Sequence, residues 1–145
     1  EDYLRWDSLG EFLALAEALR HVAGRTGNAR AAVLASALDE ATEALLDQGK
    51  SPARRLGQID NRGSHAWLAL LWAEALAAQS DDADLAAAFA PVAARLRQSI
   101  ATIDAEMLAV QGSPVEIGGY YRPDPALTDS VMRPSATFNA VIDAL

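Results

Sequence analysis

Three arginines, Arg54, Arg55 and Arg62, stand close together in the stretch GKSPARRLGQIDNRG at residues 49–63. A guanidinium is a planar fork of N–H donors that stays ionised at any working pH and matches phosphate oxygens two at a time. The chain has only 12 basic residues in 145, so this local density points to an anion site. The competing reading is that these arginines neutralise surface carboxylates or pair with Asp60. A second cluster, Arg5, Trp6 and Asp7, precedes the first helical pattern. Trp6 can staple a helix entry and Asp7 can cap it. Arg5 opposes the positive end of the helix dipole and so needs another partner.

Other chemistry has less support. Ser64 and His65 are adjacent on a predicted helix, where neighbours point about 100° apart and cannot make a nucleophile-to-base contact. Ser64 reads as a helix cap and His65 as a helix residue. His21 falls in the last turn of the first predicted helix, where positive charge suits the dipole. Asp81, Asp82 and Asp84 look like a helix start with its dipole complement. With two His, no Cys and no H-E-x-x-H or Asp-rich calcium loop, no metal site and no catalytic residue is assigned.

Composition bounds the remaining possibilities. The apolar share of 51% excludes a disordered tail, and its alanine excess with only 9 aromatic residues favours packed helices over sheet. A formal charge of -8 argues against nucleic acid or an anionic membrane surface as partner. No apolar run approaches the roughly 18–20 residues that span a bilayer, and no basic-then-apolar targeting segment appears in the sequence, so a cytoplasmic location is expected. The sequence opens without Met on interior-like patterning, the expectation for a fragment.

These residues are positioned by a mainly α architecture: an antiparallel bundle of about five helices in one domain over 1–145. Ser8 and Glu11 fit a capping box for a helix over 9–23, with Gly24 as its stop. Asn28 caps a second helix whose stripe Val33, Leu34, Ala37, Leu38, Ala41, Leu45 ends at Gly49. A long loop at 49–63 follows, of a length usually tied to function. Ser64 opens an apolar, central third helix to about residue 78. Asp81 or Asp82 caps a fourth to about residue 110, with a kink or break expected near Phe89 and Ala90 from Pro91. An irregular wrap covers 111–133. A last helix capped by Ser135 or just before it carries Phe138, Val141, Ile142 and Leu145 on one face.

The stretches RWDSLGEFLAL, KSPARR, DNRGSHAWLALLWAEALAAQ, IGGYYRPD and VMRPSATFNAVIDAL, in this order, resemble the C-terminal region of the bacterial monomeric NADP-dependent isocitrate dehydrogenases over essentially all 145 residues. The resemblance implies an enzyme that oxidises isocitrate to 2-oxoglutarate and CO₂ with NADP and Mg²⁺ or Mn²⁺. It also implies that this segment is the C-terminal end of a composite first domain. Arg5, Trp6 and Asp7 match a family NADP-binding triplet. Arg54 matches an arginine that, with the one equivalent to Arg5, clamps the adenosine 2′-phosphate, as Arg does in selecting the phosphorylated dinucleotide. A histidine of that clamp, the isocitrate ligands, the metal-binding aspartates and the proton-transfer groups would all lie upstream of Glu1.

Two functional expectations result. In the first, the chain supplies the adenosine end of an NADP site, has the remainder of a parent chain as its partner, and is inactive alone. Apolar surface left by that separation could also pair two copies. In the second, it is a non-catalytic helical interaction module, with the long loop and GGYY segment as docking surface.

Overall fold

The computed structural model describes residues 8–145. Six helices follow one another without a strand among the described residues: α1 (Leu9–Thr26), α2 (Ala29–Asp47), α3 (Asn61–Ala78), α4 (Ala83–Ala109), α5 (Pro125–Met132) and α6 (Ala136–Ile142). α3 packs on both α2 and α4, α1 lies on α2, and α6 lies on α4. Two cross-links fix the sense of the central pair. Trp67 meets Asp104 and Glu74 meets Arg97, so moving seven residues forward on α3 moves seven back on α4: they are antiparallel.

The apolar spacing builds this core. α2 buries Ala37, Leu38, Ala41 and Leu45 as its stripe predicts, and α3 buries Ala66, Trp67, Leu68, Leu70, Leu71, Ala73 and Leu76 around more than one face. It is the central helix expected from its composition. Leu38, Leu70, Leu76, Leu96 and Ile103 are fully buried, each stabilising the fold by roughly 1.5–3 kcal/mol.

Several boundaries differ from expectation. α1 continues through Gly24 to Thr26 and stops at the left-handed Gly27, so His21 is not in its last turn. Ser8 makes no side-chain cap, because its hydroxyl accepts from the Asn61 amide at 2.5 Å, and the capping box with Glu11 does not form. Asn28 caps α2 as expected. At the other end of α2, the Gly49 N–H bonds to the Leu46 carbonyl and the Lys50 N–H to the Leu45 carbonyl, a Schellman closure with Gly49 at φ +64°.

α3 begins three residues before Ser64. Asp60, a stronger cap in the right place, accepts from the N–H groups of Arg62 and Gly63. Ser64 is a buried residue of the first turn, and its hydroxyl has no hydrogen-bond partner among the described residues. α4 runs unbroken through Pro91. The helix does not break because Pro91 and Ala87, whose carbonyl loses its partner, are both exposed, while Val92, Ala93, Leu96 and Ile100 hold the continuation of the helix on the core.

The expected wrap contains α5, with Asp124 as its cap and Pro125 in its first turn. Ser135 caps α6, which buries Val141 but ends at Ile142, leaving Leu145 72% exposed.

Candidate functional site

The loop at residues 48–60 has no helical ladder, and a few specific bonds hold it instead. The Ala53 N–H bonds to the Ile59 carbonyl at 2.8 Å and the Gln58 N–H to the Arg55 carbonyl at 3.2 Å, closing a ring around Arg54, Arg55 and Leu56. Beneath the ring, Ile59 lies so close to Gly63 that a Cβ there would come within 2.9 Å of its side chain. A glycine in the first turn of α3 lets the loop sit down on the helix.

Arg54 and Arg55 are exposed on this ring. Arg62 is not: it is buried against Asp60, with its Nη2 at 2.6 Å and Nε at 3.1 Å from the same carboxylate oxygen. Its Nη1 reaches the Val131 carbonyl at 2.8 Å, tying α3 to α5. The pairing reading therefore holds for Arg62, which is committed to the fold. Arg5, Trp6 and Asp7 lie outside the described residues.

Gln111, just beyond α4, has no signal in the sequence yet makes three bonds to this loop and to Asp60. A lone polar residue between a helix end and Gly112 gives no spacing to read. Lys50, at the start of the loop, lies over the Trp67 ring at 3.9 Å, and the Trp67 indole N–H reaches both oxygens of Asp104 at 3.0 Å. Burial raises the Asp104 carboxyl above the ordinary carboxylate value, partly offset by the Trp67 bond and the Lys50 charge. A pocket of about 200 Å³ opens here, lined in part by Lys50, Gln58, Asp60 and Asp104.

The remaining polar candidates are structural. His65 has its Nδ1 at 2.6 Å from the Asn61 carbonyl and its ring edge-on to Phe12. His21 is exposed on α1. Asp82 caps α4 through the Leu85 N–H, and with Asp84 it holds Arg30. The Leu85 bond and the Arg30 charge lower the Asp82 carboxyl below its ordinary value, against some opposing desolvation. No three His, Asp or Glu side chains come together as a metal site among the described residues. A groove of about 360 Å³, lined by Arg62, His65, Met107, Met132 and Phe138 among others, does not include the loop arginines. No helix is long and apolar enough to cross a membrane among the described residues.

Against known proteins, the family model for monomeric isocitrate dehydrogenase matches residues 1–143. The chain belongs to this family. It is 59% identical over all 145 residues to an isocitrate dehydrogenase (NADP) of Corynebacterium glutamicum. It is 56% identical to one from Azotobacter vinelandii and 52% to isocitrate dehydrogenase (NADP) 2 of Mycobacterium tuberculosis, again over its whole length. In each case the chain spans 20% of the relative's length. The family membership thus covers a helical segment that carries the loop arginines.

Proposed function

We propose that this chain is the C-terminal segment of an NADP-dependent isocitrate dehydrogenase and that it holds the adenosine 2′-phosphate of the cofactor, with the reacting groups elsewhere in the full-length enzyme. Arg54, together with Arg5, Trp6 and Asp7, forms the binding set. The observation that supports this most is the division among the arginines: Arg62 is buried on Asp60, whereas Arg54 stands exposed on a loop held at 53 and 59. NADP, when bound, supplies a nicotinamide that accepts hydride from the C2 carbinol of isocitrate. A divalent ion in the parent would polarise the resulting carbonyl for decarboxylation.

The part played by this segment is remote binding. A guanidinium at Arg54 takes two phosphate oxygens in parallel bonds, and a 2′-hydroxyl in the same place offers it neither the charge nor the geometry. Binding energy gained far from the reacting carbon orients the cofactor. Alone, the segment lacks the catalytic groups and does not turn over isocitrate. The wrap at 111–124 projects Tyr120 and Tyr121, 99% and 96% exposed, which suits a contact with the remainder of the enzyme.

The test is binding of NADP and NAD to the full-length protein. Arg54→Ala should weaken NADP by roughly ten- to a hundredfold, the loss of a charge-assisted pair, and leave NAD little changed. Equal weakening of both, or of neither, would remove Arg54 from the phosphate site.

A further inference from the structure

We infer that Gln111 is a positioning residue for 2′-phosphate recognition: it fixes the backbone of the loop that presents Arg54. This rests on the role of Arg54 proposed above. Gln111 follows α4 and touches the loop with every hydrogen-bonding group of its carboxamide. Its Oε1 accepts from the Gly57 N–H at 2.8 Å, and its Nε2 donates to the Gln58 carbonyl at 2.9 Å and to the Asp60 carboxylate at 3.0 Å. Both amide hydrogens are used, and the orientation of the group is set.

The consequence comes from what else holds the loop. Among the described residues, the backbone bonds between the Schellman closure at Lys50 and the cap at Asp60 are Ala53 to Ile59 and Gln58 to Arg55. They define a ring, and Ile59 packs it against Gly63 of α3 and the core. Gln111 adds a polar link between the ring and the bundle, anchoring the limb at Gly57 and Gln58 to the end of α4, the longest helix described. It also reaches the carboxylate of Asp60 that holds Arg62, joining the loop to the buried ion pair. Arg54 is three residues from Gly57, so freedom of the ring becomes freedom of the backbone that carries Arg54. An arginine that must be ordered by its ligand binds more weakly than one whose backbone is already in place.

A merely structural Gln111 and one that acts through Arg54 differ in selectivity. In the full-length enzyme, dissociation constants for NADPH and NADH are measured by nucleotide fluorescence for wild type, Gln111→Leu, Arg54→Ala and the double variant. Gln111→Leu should raise the NADPH constant relative to the NADH constant by roughly three- to tenfold, as for the net loss of one hydrogen bond. In the Arg54→Ala background it should change that ratio no further. Gln111→Glu, which keeps the acceptor for Gly57 but sets a carboxylate against Gln58 and Asp60, should reproduce the selective loss if the leucine variant does not fold.

Equal weakening of both nucleotides, or a selective loss that persists without Arg54, overturns the role of Gln111 and leaves that of Arg54 standing. A wild-type ratio in Arg54→Ala overturns both.

Discussion

Arg54 and Arg62 have the same side chain and lie eight positions apart, yet the fold leaves Arg54 exposed and buries Arg62. Arg62 is enclosed with Asp60, the residue that also caps α3, so one carboxylate neutralises a buried charge and satisfies two helix N–H groups. Removing it strands the guanidinium. Asp60→Ala should destabilise the chain by about 3–5 kcal/mol, the cost of breaking a buried ion pair from one side, read by urea unfolding. Asp60→Asn, which keeps a cap acceptor, should lose less. A loss below about 1 kcal/mol for alanine, the size of a cap alone, would mean that Arg62 finds another partner. The sequence offered Asp60 as a possible partner for the cluster, but not the choice among three arginines, because burial is decided by how α3 sits on α4 and α5. Ser64 was misplaced for a related reason: Asp60, Ser64 and the residues between them all tolerate a helix start, and a carboxylate with an arginine beside it wins.

At the scale of elements, helices with strong apolar spacing were legible, and so were the caps at Asn28, Asp82 and Ser135, while the start of α3 and the end of α1 were not. The stripe of α2 and the all-round apolar character of α3 placed both correctly. α5 was hidden because eight residues among prolines and glycines carry too little periodicity, and none is buried. Pro91 does not break α4 because one lost hydrogen bond on an exposed face is small beside the packing of the rest of the helix. The join of α4 to α6 rests on Glu106, whose carboxylate takes the Ser135 and Thr137 hydroxyls and the Thr137 N–H. These bonds, the Ser135 one first, lower its carboxyl below the ordinary 4.5, against a smaller effect of burial. The sign follows directly: with the folded value below the unfolded one, the stabilisation is complete above pH 4.5 and is lost as pH falls through the folded value. Glu106→Gln should therefore cost roughly 1–2 kcal/mol at neutral pH. The gap to wild type should close as the pH is lowered below 4.5. A gap independent of pH would contradict the charged cap.

For the whole molecule, the fold and the family were both legible, the first from apolar spacing and the second from several long words in order. Of the candidate site, the separation of the exposed Arg54 and Arg55 from the buried Arg62 came only with the structure, and Gln111 gives no local signal. The chain spans 20% of the length of its relatives, and its 22% of charged residues and net charge of -8 describe that span. An arginine site of the kind proposed, inside an acidic segment, would select one phosphate over a diffuse polyanion. The central claim is that Arg54 holds the adenosine 2′-phosphate, and the ³¹P resonance of that phosphate reports it most directly. A free phosphate monoester loses its second proton near pH ~6, and an adjacent guanidinium favours the resulting dianion. NADP bound to the full-length enzyme should show a 2′-phosphate titration displaced well below pH ~6, and Arg54→Ala should return it toward the free value. A bound phosphate that titrates as it does in free solution, or a displacement that Arg54→Ala leaves in place, would contradict the account.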